Sequence, residues 1–136
     1  ITGKKPIKTI TQERIPGWAI RPGLPVGCKV TLRKAEAVDV LRRILAARDN
    51  KLEKRNFDDK GNLNFGMVEY IYIPGVKYDP AIGIMGFELT ATLERPGFRI
   101  KRRKLLKKMV PKDHRISQAE AIDYFKTQFK VEVAEE

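Results

Sequence analysis

Apolar and polar residues alternate along two segments of the chain, a pattern typical of β-strands with one buried face. The segments are Val26–Arg33 and Phe87–Glu94. The residues predicted to face a core are Val26, Cys28, Val30, Leu32, Phe87, Leu89, Ala91 and Leu93. The polar residues predicted to face outward include Lys29, Thr31, Arg33, Thr90 and Thr92. A third segment, Met67–Ile73, is rich in Val, Ile and Tyr and is also predicted to be a strand.

Helical spacing replaces this alternation in two places. Over Ala35–Asp49 the apolar residues form a stripe, which predicts an amphipathic helix. Ser117–Glu120 has the pattern of a capping box, in which the Ser117 hydroxyl accepts from the Glu120 N–H and the Glu120 carboxylate accepts from the Ser117 N–H. A short amphipathic helix is predicted to follow, with its apolar face formed by Ala121, Ile122, Phe125 and Phe129.

The order of these elements predicts an α+β fold. We expect an antiparallel β-sheet with helices packed on one face and the other face open. With 136 residues the chain is long enough for one domain. Its predicted parts are an extended, Pro- and Gly-rich loop region over residues 1–25, a sheet and helix core over residues 26–110, and a C-terminal helix and tail over residues 111–136.

Positive charge is concentrated in two blocks. The net charge is +11, and residues 96–111 contain seven Lys or Arg and no acid. Residues 1–55 contain 14 Lys or Arg against five acids, whereas residues 56–95 contain three against six. Segregated positive charge attracts a polyanion, because each phosphate that is neutralised releases counterions. Nucleic acid is therefore the predicted partner, and a basic surface without one is the alternative.

The same question applies to the segment Arg99–Lys108, which holds all seven cations of the second block. Cations without an acid repel one another, so phosphate contact is favoured over a merely solvated edge. The outward residues of the open sheet face suit contacts with phosphate and 2′-hydroxyl groups, although outward strand residues usually face only water.

A Gly- and Asn-rich segment, Gly61–Gly66, is predicted to be a turn and admits two interpretations. Gly and Asn tolerate positive φ, so the segment is explained by a tight connection alone. The amides of Asn62 and Asn64 also offer donors and acceptors to base edges. Phe57 and Phe65 are expected to be core residues of this loop.

The residue types needed for catalysis or metal binding are scarce. His114 is the only histidine and Cys28 the only cysteine, and neither has a partner at the spacing of a nucleophilic or metal site. No enzyme activity, cofactor or metal is predicted. No apolar run approaches the roughly 18 residues that a membrane span requires, so no membrane partner is expected.

Several separated motifs resemble one family of proteins. They are Gly3–Pro6, Leu24–Arg33, Gly61–Gly66, Ile73–Pro80, Thr92–Arg99, Lys101–Lys104 and His114–Ile116. In this order they resemble the L-five family of large-subunit ribosomal proteins, in its archaeal or eukaryotic-type branch. The resemblance implies a structural protein of the cytoplasmic large ribosomal subunit, beside neighbouring ribosomal proteins. It also implies that an N-terminal helix and strand of the family are missing before Ile1.

The resemblance assigns partners to the candidate residues. It implies that the chain binds 5S ribosomal RNA and bridges it to the large ribosomal RNA. The residues expected to contact RNA are Lys4, Lys5, Lys29, Thr31, Arg33, Asn62, Asn64, Thr90, Thr92, Arg99, Lys101, Arg102, Arg103 and Lys104. A protruding loop is expected to approach peptidyl-site transfer RNA through Lys8, Thr9, Thr11, Gln12 and Arg14. The alternative function is an adaptor whose basic surface binds an acidic protein.

Trp18 lies in this loop, where the sequence departs from the family's more basic pattern. Its indole is expected to pin the loop to the protein body by burial, and stacking on RNA is the alternative.

Overall fold

The computed structural model describes residues 1–134. The helices and strands are β1 (Ile7–Ile10), β2 (Pro25–Lys29), α1 (Lys34–Ala46), β3 (Lys51–Glu53), β4 (Asn62–Met67), β5 (Phe87–Thr92), α2 (Gln118–Phe129) and β6 (Glu132–Ala134). The chain divides into two compact units, Ile1–Leu41 and Arg42–Glu136, and α1 begins in the first and ends in the second.

The first unit contains an antiparallel hairpin of β1 and β2, in which Ile7 lies opposite Lys29 and Lys8 opposite Cys28. Every residue of β2 is exposed. The prediction that Cys28 and Val26 are core residues is therefore wrong, and Val26 is 54% exposed. The alternation does mark a strand, but a two-stranded hairpin has no buried layer of its own to cover its apolar face.

Helix α1 confirms the predicted amphipathic segment, although it ends at Ala46, three residues before the predicted end. The cause is local, because Asp49 and Asn50 both adopt left-handed backbone conformations, with φ values of 54° and 55°. The Asn50 N–H donates to the Leu45 carbonyl at 2.9 Å, which closes the helix end. Ile44 and Leu45 are buried, as their place in the apolar stripe predicts.

Strands β4 and β5 form an antiparallel hairpin in the second unit, and its inner face is part of the core. Leu63, Phe65 and Met67 of β4 are buried, and each lies opposite an apolar residue of β5. The residues between them point to the other face. The alternation predicted for Phe87–Glu94 is confirmed over Phe87–Thr92, where half-buried and exposed residues alternate.

Two local predictions near this hairpin are wrong. The segment Gly61–Gly66 is mostly strand β4, and Gly61 alone keeps the turn conformation, with φ at 72°. Met67–Ile73 is not a strand, because Met67 ends β4 and Tyr70–Tyr72 forms a turn of 3-10 helix. The apolar side chains at every second position of β4 favour a strand more strongly than the intervening Asn and Gly favour a turn.

Helix α2 completes the core of the second unit. Its buried residues are Ala121 and Phe125, and the Phe125 ring packs edge-on against Phe57, with 5.6 Å between centroids. Phe57 and Phe65 are 3% and 5% exposed, which confirms their prediction as core.

Only half of the predicted capping box forms at the start of α2. The Ser117 hydroxyl accepts from the Glu120 N–H at 3.3 Å, but the Glu120 carboxylate pairs with Arg95. A nearby guanidinium is a stronger partner for a carboxylate than a neutral backbone N–H.

The α+β class is confirmed, but the strands of residues 1–134 do not form one sheet. They form three two-stranded sheets, of which β1–β2 and β4–β5 are antiparallel and β3–β6 is parallel. The predicted limits at residues 25 and 110 lie inside the two compact units, and the single-domain organisation stays a prediction.

Candidate nucleic-acid interface

Four predicted RNA-binding residues lie together on the outer face of the β4–β5 hairpin. Asn62 lies opposite Thr92, and Asn64 lies opposite Thr90. We refer to these four residues as the Asn/Thr face. Asn64, Thr90 and Thr92 are exposed and Asn62 is half-buried. The face therefore presents amide and hydroxyl groups, which both donate and accept hydrogen bonds, on a backbone fixed by the core beneath.

Asn62 is partly committed to the turn that begins β4. Its backbone N–H donates to Asp58 Oδ1 at 2.7 Å and its side-chain amide donates to Asp58 Oδ2 at 2.6 Å. Burial raises the pKa of Asp58, but hydrogen bonds from Asn62 and Lys60, with the charge of Lys60, outweigh it and hold the pKa below its ordinary 3.8. Asn64 is thus the amide on this face whose side chain is free among the described residues.

The basic segment, Arg99–Lys108, contains two kinds of cation. Lys101 and Arg102 both pair with the carboxylate of Glu94, which follows the end of β5, and the Lys101 ammonium lies 3.2 Å from Glu94 Oε1. The guanidinium of Arg103 donates twice to the Leu106 carbonyl, at 2.9 and 2.7 Å. These three side chains are held by the protein itself. No local pattern indicates the first two contacts, because Glu94 lies outside the cationic run.

The other cations of the basic segment are free among residues 1–134. Arg99, Lys104, Lys107 and Lys108 are exposed, and their side chains form no ion pair or hydrogen bond there. Three large apolar side chains accompany them, and Leu105, Leu106 and Met109 are 77%, 79% and 79% exposed. Sequence analysis missed these apolar residues, whose exposure has no periodic signal.

The remaining predicted RNA-binding residues belong to the first unit. Lys29, Thr31 and Arg33 are exposed, but no described sheet joins them to Thr90 and Thr92, so the prediction that all five share one sheet face is wrong. Pairing of β2 with β1 and of β5 with β4 accounts for the separation.

The two lysines near the N-terminus differ in their contacts. The ammonium of Lys4 lies 2.7 Å from Glu36 Oε1, whereas Lys5 is exposed and its side chain has no partner among residues 1–134.

The hairpin tip, residues 11–24, contains most of the loop residues that are predicted to approach transfer RNA. Thr11 is structural, since its hydroxyl donates to the Arg21 carbonyl at 2.8 Å and its N–H donates to the Leu24 carbonyl at 3.0 Å. Gln12 and Arg14 are exposed. Lys8 and Thr9 lie in β1, below the tip.

Trp18 is 75% exposed, so the prediction that burial of its ring pins the loop is wrong. The loop is held by backbone hydrogen bonds instead, between Ile15 and Ile20 at 3.1 and 3.2 Å.

The side chains considered for catalysis have structural surroundings. His114 Nε2 lies 2.9 Å from the Pro96 carbonyl oxygen, and its ring packs edge-on against Phe98. Among residues 1–134, no group of His, Cys, Asp and Glu side chains is arranged to hold a metal ion. Each helix in this range is too short or too polar to cross a membrane.

Comparison with known proteins places the chain in a family. The family model for the C-terminus of the ribosomal L-five (uL5) family matches residues 25–122. The protein of Sulfurisphaera tokodaii named large ribosomal subunit protein uL5 is 43% identical over 136 residues, which cover 99% of this chain and 77% of the relative. Proteins of the same name from Nanoarchaeum equitans and Nitrosopumilus maritimus are 44% and 45% identical, cover 98% of the chain, and are covered over 79% and 78% of their own length. The chain belongs to the ribosomal L-five family, and the relatives that it resembles are archaeal.

Proposed function

We propose that this protein binds 5S ribosomal RNA through the Asn/Thr face, contacts the large ribosomal RNA through the basic segment, and approaches peptidyl-site transfer RNA through the hairpin tip. As a member of its family it is a structural protein of the large ribosomal subunit in the cytoplasm, and not an enzyme. Its partners there are ribosomal RNA and other ribosomal proteins. Its task is to hold RNA in position.

The observation that carries the 5S assignment is the pairing of Asn64 with Thr90 and of Asn62 with Thr92 on one face. The opposite face of the same hairpin is buried, so the orientation of the polar face is fixed by the core. Hydroxyl and amide groups match the mixed donors and acceptors of RNA backbones and base edges. Glu88 lies opposite Gly66 at the other end of this face, which favours RNA contact at the Asn62 end because an acid repels phosphate.

The basic segment is suited to phosphates, which position a protein without reading sequence. Its free cations, Arg99, Lys104, Lys107 and Lys108, supply charge that the described residues do not neutralise. The exposed Leu105, Leu106 and Met109 suit an apolar neighbour beside that RNA. This pairing of charge with apolar surface supports a position between ribosomal RNA and another ribosomal protein.

The decisive test of the 5S assignment uses Asn64→Ala and Thr90→Ala, singly and together, with Gln128→Ala as control. Gln128 is exposed on α2, away from the hairpin. Loss of one specific hydrogen-bonding contact should cost about 1–3 kcal/mol, or roughly a 5- to 150-fold weaker Kd for 5S RNA. Binding should be measured by filter retention at fixed salt. A double variant that folds and binds 5S RNA as tightly as the control would refute the assignment.

A further inference from the structure

Trp18 is the only tryptophan of the chain, and it lies at the end of the β1–β2 hairpin. It closes a short 3-10 turn, Pro16–Trp18, and its side chain is 75% exposed. Indole is among the largest apolar groups in proteins, and its burial ordinarily stabilises a fold. An indole left in solvent at a protruding tip therefore forgoes that stabilisation in the free protein.

The backbone that carries the ring is well determined. Ile15 and Ile20 exchange two hydrogen bonds of 3.1 and 3.2 Å across the base of the turn. The Trp18 N–H donates to the Ile15 carbonyl at 3.2 Å, and the Ala19 N–H donates to the Pro16 carbonyl at 3.0 Å. Pro16 further restricts the turn. A partner that binds the ring thus loses little backbone entropy at the tip.

No part of the described chain accounts for the ring. Among residues 1–134, Trp18 forms no aromatic pair and no cation–π contact, although both kinds of contact occur elsewhere in the protein. The surroundings carry positive charge, with Arg14 and Arg21 exposed on either side of Trp18. Residues 1–33 contain seven Lys or Arg and a single acid, Glu13.

We infer that Trp18 is a stacking site for an unpaired nucleobase of RNA. The flat apolar ring offers a face to a base, and the flanking guanidinium groups offer charge to the adjoining phosphates. An apolar protein pocket would also accept an indole, but the surrounding cations favour a polyanion. Bases within a duplex hide their faces, so the site requires a loop, bulge or end. The inference rests on the proposed approach of the hairpin tip to transfer RNA, and it adds the chemical group that the tip recognises.

Because Trp18 is the only tryptophan, its fluorescence reports on this site alone. The full chain should be titrated with transfer RNA, with single-stranded poly(A), with inorganic polyphosphate and with poly-glutamate, while binding is followed separately by sedimentation. Stacking on a base should quench the indole emission with either RNA. Polyphosphate has charge without bases, so it should bind without comparable quenching.

Two variants measure the contribution of the ring. Trp18→Ala should bind single-stranded RNA roughly 5- to 150-fold more weakly, the range for loss of one stacked base, whereas Trp18→Phe should keep most of the affinity. Both variants should keep the wild-type melting temperature, since an exposed side chain contributes little to stability. Gln12→Ala is a control at an exposed residue of the same tip.

The outcomes separate this inference from the proposed function. If RNA binds without quenching, or if Trp18→Ala binds as tightly as Gln12→Ala, the stacking site is refuted and the approach to transfer RNA still stands. If poly-glutamate or polyphosphate quenches as strongly as RNA, the site does not recognise a base and the inference fails. If poly(A) quenches but Trp18→Ala leaves transfer-RNA occupancy of ribosomes unchanged, stacking holds and the transfer-RNA assignment fails.

Discussion

The two kinds of cation in the basic segment should differ in their effect on RNA binding. We consider two triple variants that each remove three charges. One replaces Lys104, Lys107 and Lys108 by Gln, and these side chains are free among residues 1–134. The other replaces Lys101, Arg102 and Arg103, which the protein itself holds through Glu94 and the Leu106 carbonyl.

The magnitude follows from counterion release, which contributes about 0.7–0.9 units of log–log salt slope for each phosphate neutralised. If the three free lysines each neutralise one phosphate, their loss should flatten the slope by about two units. Lys101 and Arg102 share one carboxylate, so together with Glu94 they offer a net charge of one to RNA. Arg103 has part of its donor set occupied. The second variant should therefore flatten the slope by about one unit or less.

The assay is a titration of each variant with a fragment of large ribosomal RNA at several salt concentrations. Thermal melts should accompany it, although surface ion pairs contribute only about 0–1 kcal/mol, so both variants should stay folded. Equal flattening in the two variants would show that the contacts with Glu94 do not restrict Lys101 and Arg102. An unchanged slope in both would show that the basic segment is a solvated edge.

Three further predictions concern stability. Asp58 has a lowered pKa in the folded state, so it stabilises the fold above its ordinary value of 3.8 and loses that contribution as pH falls through the lower folded pKa; Asp58→Asn should weaken the acid dependence of urea unfolding. Gly61→Ala should lower the free energy of unfolding by about 1–3 kcal/mol, because Gly61 has φ at 72° and an added Cβ would lie 2.6 Å from Ile116 Cγ2. Phe125→Ala should cost about 3–5 kcal/mol in the same assay, since the Phe125 side chain is 0% exposed.

Sequence patterns predict best those elements whose own residues form the core. The stripe of α1 and the alternation of β5 carry their burial within a few residues, and the structure confirms both. Strand β4 instead has the composition of a turn, because Asn62, Asn64 and Gly66 are typical turn residues. Their pairing with β5 across the hairpin satisfies the backbone, and such a long-range partner is invisible to a local pattern.

The hairpin of the first unit shows the opposite error. Alternation over Val26–Arg33 predicts a buried face, but alternation specifies only that two faces differ. Whether one face becomes buried depends on what packs against it, and all of β2 is exposed. The same reasoning applies to Trp18, whose type favours burial while its position at a hairpin tip prevents it.

Charge counting meets a related limit in the basic segment. Seven cations without an acid indicate that the whole segment is available to a polyanion. In the fold, the chain leaves β5 at Glu94 and returns beside it, so one acid from outside the segment holds two of its cations. A cation that is already paired gains less from a phosphate, because the pair must be broken first. The electrostatic footprint on RNA is therefore set by the free cations Arg99, Lys104, Lys107 and Lys108, which only the folded chain distinguishes from their neighbours.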